Sequence, residues 1–327
     1  MQFGTKSGNP AKTRCQCVVA GVYEDNKLTA TAKQLDQASG GYIRKILNRG
    51  EINGKAGQSL MLHDVPDINS PRVLLVGLGK RDAPDAARFV QVLNSTIAAI
   101  KATPAKTALC CLLEVDTGDK DMYWKTRRIV ERFEDGVYRF TNMKGKAQEN
   151  NGIHLESVDL QLVDKDDQEL VLTGVDDAVA VVAGINAHKD LANTPGNICT
   201  PTYMAEAALK LADQHASIKT TVLDEKDMEK LGMGAFLAVS KGSAEPGKLI
   251  IMEYKGAKPK DKPYVLVGKG ISFDSGGISL KPGATMYEMI YDMCGAASVF
   301  GTMTAVARLQ LPINVVGVMA AAENMPS

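Results

Sequence analysis

Short apolar segments alternate with helical stretches along most of this chain, and that alternation restricts the fold more than any other feature. In the first part, residues 15–22, 73–76 and 107–115 are typical of strands, whereas 28–48 and 86–102 carry helical spacing. Short apolar strands separated by helices favour a mostly parallel sheet that is covered on both faces. We therefore expect an α/β fold.

The second part continues this pattern and ends on an informative segment. We expect helices at 201–216, 225–231 and 285–309, and strands at 219–222, 249–254, 264–267 and 313–322. Residues 313–319 are apolar at both alternating sets of positions, which predicts a central strand buried between two layers. The sequence ends eight residues after Met319, so we expect the second domain to be incomplete.

A length of 327 residues predicts two domains. An alanine- and valine-rich helical stretch at 175–191 ends at a Pro-Gly pair, and we place the boundary near it. The expected division is a smaller N-terminal α/β domain at 1–165, a linking helix at 166–193, and the first part of a catalytic domain at 194–327. A polar segment at 142–152 is predicted to be a loop.

Composition indicates a soluble protein of a reducing compartment. The formal net charge is zero, which gives no overall attraction to nucleic acid or to an anionic membrane. The six cysteines do not have the spacing of a disulfide framework or a zinc knuckle, and most lie in apolar segments, where a buried free thiol is expected. The start of the sequence lacks the apolar stretch of a secretory signal, and we found no apolar run of transmembrane length. We therefore expect a cytoplasmic protein with no membrane partner.

The highest density of glycine lies in residues 267–277, Val-Gly-Lys-Gly-Ile-Ser-Phe-Asp-Ser-Gly-Gly. These residues follow an apolar strand, and in open α/β sheets ligands bind beyond the carboxyl ends of strands. Lys269 and Asp274 are the charged groups within this glycine-rich run, and Lys281 follows shortly after. A carboxylate here could hold a divalent cation. A tight turn or an anion-binding loop is the alternative, and residues alone favour neither strongly.

A second carboxylate, Asp292, is expected within a helix among methionine, cysteine and small residues. A charge in such surroundings is costly unless it has a partner, which is either a metal ion or an arginine. Glu288, one turn earlier, is a competing carboxylate on the same helix face.

Residues 264–297 together resemble the signature region of the leucyl (cytosol) aminopeptidase family, bacterial type. The resemblance extends to three further segments, Asp-Leu-Ala-Asn-Thr-Pro-Gly-Asn at 190–197, Gly-Met-Gly-Ala-Phe at 232–236 and Ala-Glu-Asn-Met-Pro at 322–326. It covers most of 180–327 and is specific, whereas the N-terminal part is similar mainly over 73–80. The family's Asn-Thr-Asp-Ala-Glu-Gly-Arg motif, which holds its remaining ligands, does not occur in these 327 residues.

The resemblance implies a role for each matching position. Lys269, Asp274 and Asp292 match metal ligands, with Asp274 bridging two ions, and all three also face the substrate. Lys281 matches the catalytic lysine that assists at the substrate carbonyl, and Met289 matches a position that lines the pocket for the first side chain. The implied fold is that of a zinc exopeptidase-like α/β domain. The implied cofactors are two divalent cations, manganese, zinc or magnesium, with bicarbonate as a further ligand.

The implied activity is release of N-terminal amino acids, preferably leucine and other apolar residues, from peptide substrates by a metal-activated water. The family forms homohexamers. Because part of the ligand set is missing, we expect the 327-residue segment alone to be inactive.

Two readings from other functional classes remain open. Basic residues at 125, 127, 128, 132 and 139 could contact DNA, although such runs are usually solvated helix faces and the neutral net charge argues against this. The glycine-rich run could also bind phosphate without a metal. The four histidines have no ligand-pair spacing, and we assign them no metal role.

Overall fold

The structure, a computed structural model, describes residues 1–145 and 154–326. The chain divides into two compact units, of which the first comprises Met1–Arg139 and Lys144–Val179 and the second comprises Phe140–Met143 and Ala180–Ser327. The division between residues 179 and 180 falls inside a helix that spans the linker predicted at 166–193. Residues 146–152 of the predicted polar loop lie outside the described residues.

The first unit is built on a mostly parallel sheet, as its alternating pattern predicts. Within the described residues the sheet has the strand order β1-β6-β5-β2-β4-β3, and only β3 runs antiparallel to its neighbour. The strands are β1 (Gln2–Lys6), β2 (Cys17–Val22), β3 (Ser59–His63), β4 (Arg72–Gly77), β5 (Thr107–Cys110) and β6 (Ser157–Gln161), and the helices are α1 (Ala30–Ala38), α2 (Tyr42–Asn48), α3 (Ala86–Lys101), α4 (Met122–Val137) and the start of α5 (Gln168–Asn193).

Both faces of this sheet are buried. Val19 belongs to a core with Phe89 and Phe133, whereas its neighbour Val18 belongs to a second core with Leu35 on the opposite face. Successive side chains of a strand point to opposite faces, so two helical layers are needed to bury them. This is why the strand residues are apolar without a polar alternation.

Two boundaries in the first unit differ from those predicted, and two of its strands were not predicted. The helical stretch 28–48 forms two helices, because Gly40 and Gly41 adopt φ values of 62° and 79°, which interrupt the helical hydrogen bonds. The strand predicted at 107–115 ends at Cys110 and is followed by a short 3-10 turn. Strands β1 and β3 were not predicted, since each is short and at least partly exposed.

The second unit has a mixed sheet whose order within the described residues is β7-β8-β10-β9. Strand β10 pairs with β8 antiparallel and with β9 parallel, which confirms the central strand predicted at 313–322. The strands are β7 (Ile218–Leu223), β8 (Lys248–Lys255), β9 (Tyr264–Asp274) and β10 (Asn314–Asn324), and the helices are the end of α5, α6 (Pro201–Gln214), α7 (Glu225–Lys230), α8 (Gly234–Ser240), α9 (Gly283–Met286) and α10 (Cys294–Leu309).

Two corrections in the second unit concern the predicted site. Strand β9 continues to Asp274, so most of the glycine-rich run belongs to a strand and only its end is a loop. The helix predicted at 285–309 is divided into α9, a 3-10 turn at Tyr287–Tyr291 and α10. Asp292 therefore follows the 3-10 turn and precedes α10, and it does not lie within a continuous helix that it would share with Glu288.

One helical stretch of the described residues, Lys165–Asn193, is by length and composition able to cross a membrane, since it contains an 18-residue window with a mean hydropathy of 1.6. By length and composition this helix differs from the expectation of no apolar run of transmembrane length. Core helices of soluble proteins meet the same criterion, and here Val171, Val175 and Ala178 pack in the core of the first unit while Leu191 packs in that of the second. Its apolar character is thus partly accounted for by core packing.

Candidate metal centre

The charged residues singled out from the sequence lie along the carboxyl-terminal half of β9 and in the segments that follow it. Lys269 lies within the strand, Asp274 ends it, Lys281 follows the next loop, and Asp292 lies between the 3-10 turn and α10. The structure places these four side chains in two ion pairs, Lys269 with Asp292 and Lys281 with Asp274.

The first pair joins Lys269 to Asp292. Lys269 Nζ contacts the Oδ2 carboxylate atom of Asp292 and lies 3.3 Å from its backbone carbonyl oxygen. The lysine side chain is 58% exposed and the aspartate 23%. The expected alternatives for the partner of Asp292 were a metal ion and an arginine, whereas in this structure the partner is Lys269.

Two glycines allow this pair to form. A Cβ atom on Gly268 would lie 2.3 Å from the carbonyl oxygen of Gly295, and one on Gly295 would lie 2.9 Å from the backbone nitrogen of Lys269. Any side chain at Gly268 would therefore displace backbone atoms. These glycines let β9 approach the start of α10 closely, which places Lys269 against the residue that precedes that helix.

The second pair joins Asp274 to Lys281, with Nζ 2.9 Å from Oδ2. The other carboxylate oxygen of Asp274, Oδ1, accepts hydrogen bonds from Asn324 Nδ2 at 2.6 Å and from the backbone N–H of Gly276 at 3.0 Å. Burial raises the pKa of Asp274, but the hydrogen bonds from Lys281, Gly276 and Asn324 outweigh that effect and hold the pKa below its ordinary value. The carboxylate is therefore ionised at neutral pH.

The loop between Asp274 and Lys281 is shaped by left-handed glycines. Gly276 and Gly277 have φ values of 95° and 67°, and the backbone N–H of Lys281 donates to the carbonyl oxygen of Ser275 at 2.8 Å. This tight return brings Lys281 back to the end of β9, where its ammonium group meets Asp274.

Asn324 is a site residue to which the sequence reading gave no role. It ends β10 and is paired in register with Asp274 at the end of the parallel strand β9. Polar residues at the carboxyl ends of adjacent parallel strands lie together at one edge of the sheet. The position of Asn324 at the end of a predicted strand was therefore the feature of the sequence that could have indicated a role in the site. That feature became usable only once the pairing of β9 with β10 was known.

Met289 lies in the 3-10 turn that leads to Asp292. Its side chain is half-buried, and its carbonyl oxygen accepts a hydrogen bond from the backbone N–H of Asp292 at 3.3 Å. The same turn contacts β9. Met289 is thus attached to the element that carries one of the two carboxylates.

The donor set suits divalent cations but is not sufficient for them. It offers two carboxylates and an amine, and Asp274 is already oriented by an amide and a backbone N–H, as metal-ligating carboxylates usually are. Each carboxylate now faces a lysine ammonium group, which supplies the positive charge that a metal ion would supply. Among the described residues no three His, Cys, Asp or Glu side chains form a group that could hold a metal ion.

The basic run of the first unit is largely engaged in contacts with other residues of that unit. Arg127 and Arg128 both pair with Glu131, at 2.9 and 2.8 Å, and their guanidinium groups lie over the rings of Tyr123 and Trp124. A further residue of the run, Lys125, donates to the carbonyl oxygens of Leu113 and Val115. These contacts reduce the charge that the helix offers to a phosphate backbone.

Comparison with known proteins identifies the family. Residues 186–327 match the model of the cytosol aminopeptidase family, catalytic domain, and residues 19–147 match that of the same family's N-terminal domain. The chain is 47% identical over all its 327 residues to a probable cytosol aminopeptidase of Colwellia psychrerythraea and 46% identical to the cytosol aminopeptidase of Vibrio cholerae. It spans 65% of the length of each of these relatives.

Solved structures give the same result. A tomato leucine aminopeptidase mutant matches with a TM-score of 0.78 and 25% identity, over 100% of this chain and 63% of that protein. The bottromycin maturation enzyme BotP in complex with Mn matches with a TM-score of 0.75 and 29% identity, over 96% of this chain and 60% of that one. The expected α/β fold and the resemblance seen in residues 264–297 are thereby confirmed, and the chain belongs to the cytosol aminopeptidase family.

Proposed function

We propose that the protein carrying this chain is a metal-dependent aminopeptidase that releases N-terminal residues, preferably leucine and other apolar ones, from peptides. The observation that supports this most directly is the pairing of two carboxylates with two lysines around β9, in a family whose members are named as aminopeptidases. The same lysines and carboxylates are the positions matched to the family's ligands and catalytic lysine.

The ligand roles are those that the family resemblance implies. Asp274, Asp292 and Lys269 would hold the divalent cations, which would be manganese, zinc or magnesium. Manganese is consistent with the structure of BotP in complex with Mn. When bound, such ions supply the Lewis acidity that makes a water molecule nucleophilic at neutral pH.

The chain's own residues account for substrate binding and charge stabilisation. Lys281 is held beside Asp274 by the loop of positive-φ glycines, where its ammonium group can stabilise the negative charge that develops on the carbonyl oxygen of the substrate. Asp292 would bind the free α-amino group, which limits cleavage to the N-terminus. Met289, half-buried beside Asp292, would contact the first side chain and favour apolar residues.

Localisation and assembly belong to the same proposal. The relatives are named for the cytosol, and the described cysteines are free, which fits a reducing cytoplasm. A homohexamer is proposed from the family resemblance alone.

The test uses the full-length protein and a leucyl chromogenic amide. We expect manganese-dependent hydrolysis that is lost on chelation, and we expect Asp274→Ala to reduce kcat/KM by at least about a thousandfold and to abolish manganese binding in calorimetry. Asp213→Ala removes an exposed carboxylate from α6 in the same unit and serves as the control, with unchanged activity. Normal turnover by the Asp274 variant, or activity that survives complete metal removal, would contradict the proposal.

A further inference from the structure

The first unit contains a cleft of about 830 Å³ that the proposed peptidase site does not use. Its lining comes from residues that follow the carboxyl ends of four parallel strands, namely Gly8 after β1, Tyr23 after β2, Glu114 after β5 and Leu162 after β6. A volume of this size accommodates a small organic molecule rather than a single inorganic ion.

The topology of the sheet explains why a cleft opens at this place. From β2 the chain proceeds to β3 and β4 on one side of the sheet, whereas from β5 it proceeds to β6 on the other side. Strands β2 and β5 are paired, so the connections diverge between them. In open α/β sheets such a switch point leaves a crevice at the carboxyl ends of the strands, where ligands bind.

The charge around the cleft favours an anion. Lys33, Arg81 and Lys165 line it and are exposed, and among the described residues none of the three has a carboxylate within ion-pair distance. The carboxylates of the same cleft are bound to backbone N–H groups. Glu114 accepts from Thr31 at the N-terminus of α1, at 3.0 and 3.3 Å, and Asp164 accepts from Asp166 at 3.1 Å.

A buried amide provides a second and independent indication of a ligand. Gln161 lines the cleft, is 9% exposed, and donates through Nε2 to the carbonyl oxygens of Gly8 and Leu162 at 3.2 and 3.3 Å. Its Oε1 atom has no donor within the described part of the chain. A buried acceptor without a donor is unfavourable. Because less than 1 Å² of this oxygen is exposed, a hydroxyl or amine of a bound molecule would satisfy it after the side chain turns towards the cleft.

We infer that this cleft binds a small organic anion, carrying phosphate or carboxylate groups together with a hydroxyl or amine donor. The anionic groups face Lys33, Arg81 and Lys165, whose charges are not neutralised by neighbouring carboxylates. The hydroxyl or amine reaches the Gln161 oxygen and the Glu114 carboxylate, and the apolar part lies against Tyr23 and Leu28.

The experiment is calorimetric titration of the whole chain after metal ions and then the chelator have been removed by dialysis, so that the result depends neither on the proposed metal centre nor on a competing carboxylate. The probes are ribose 5-phosphate, malate, inorganic phosphate and uncharged ribose. We expect ribose 5-phosphate or malate to bind at least tenfold more tightly than inorganic phosphate, with no detectable binding of ribose. Preference between the first two distinguishes a phosphate site from a carboxylate site.

Three variants test the residues. The double variant Lys33→Ala/Arg81→Ala should weaken the preferred probe at least tenfold, and Gln161→Leu should weaken it while leaving inorganic phosphate within twofold. Lys45→Ala, an exposed lysine of α2 outside the cleft, should leave every affinity within twofold. Absence of binding by both organic anions, equal binding of ribose, or an unchanged affinity in the folded double variant would overturn the inference.

Discussion

At the scale of single residues, the candidate centre depends on how Asp274 is held. One oxygen faces Lys281 and the other accepts two hydrogen bonds, so the carboxylate is fixed in orientation and kept ionised. Partners of this kind usually contribute a factor of 10 to 100 to metal affinity. Of the two groups that donate hydrogen bonds to Asp274, only Asn324 donates through its side chain. Asn324 does not belong to the proposed ligand set.

The corresponding prediction is that Asn324→Ala weakens manganese binding without eliminating activity. Loss of the 2.6 Å hydrogen bond frees Asp274 to rotate, so the manganese concentration for half-maximal activity should rise about 10- to 100-fold. Excess manganese should restore most of kcat, in contrast to Asp274→Ala, which should not recover. Activity of the full-length variant is measured across a manganese titration, and an unchanged half-maximal concentration would show that Asn324 does not position the ligand.

At the scale of elements, close packing between backbones positions the second unit's helices. A Cβ atom on Gly301 of α10 would lie 2.4 Å from the carbonyl oxygen of Gly184 in α5, and one on Gly184 would lie 2.3 Å from that of Gly301. Since atoms cannot approach so closely, these two positions admit only glycine unless the helices separate. Helix α10 also carries Gly295, so its placement bears directly on Lys269.

We predict that Gly301→Ala destabilises the second unit by about 1–3 kcal/mol, although alanine is the better helix former by about 1 kcal/mol. Gly234→Ala is the matched control, because Gly234 begins α8 and a Cβ atom there meets nothing within 4 Å. That control should be neutral or slightly stabilising. Urea denaturation followed by far-UV circular dichroism gives both values, and equal stability of the two variants would contradict the helix-crossing argument.

The boundaries of the helices and strands also show how accurately sequence patterns predict secondary structure. The strands Cys17–Val22 and Arg72–Gly77 and the helices Ala86–Lys101 and Pro201–Gln214 end within about two residues of the predicted positions. Long apolar or periodic segments can be predicted because the side chains that face the core recur at a fixed spacing, and that spacing is visible in the sequence itself. The helix expected at 285–309 was wrong in its first third, because the pattern does not show where the helical hydrogen bonds are interrupted before Cys294.

At the scale of the whole molecule, buried thiols couple stability to pH. Desolvation by burial raises the pKa of Cys17, Cys110 and Cys199 to about 12, whereas a thiol in the unfolded chain titrates near ~8.5. Above that pH the unfolded chain loses thiol protons that the folded chain retains. Each such thiol therefore lowers the free energy of unfolding by up to about 1.4 kcal/mol per pH unit as the pH rises from ~8.5 towards 12.

We predict that Cys110→Ala has a lower free energy of unfolding than the wild type at pH 7, and that this difference decreases steadily as the pH rises. Because other groups titrate equally in both proteins, the difference in unfolding free energy between wild type and variant should shrink by about 1 kcal/mol or more between pH 8.5 and 9.5. Urea unfolding under reducing conditions is followed by the fluorescence of Trp124, the single tryptophan, which lies in the first unit. A constant difference between pH 7 and pH 9.5 would mean that the thiol is not kept protonated by burial.

The amino-acid sequence by itself determined the α/β class, the central position of the last strand, and the family, because apolar periodicity and a dense motif are local properties of the chain. The charged residues around β9 could be named from that motif, but their pairing could not. Lys269 meets Asp292 only because Gly268 and Gly295 let a strand and a helix approach, and Asn324 reaches Asp274 only because β9 and β10 run parallel in one register. Contacts between residues 23 and 50 positions apart depend on how sheets and helices pack, and only the tertiary structure decides that.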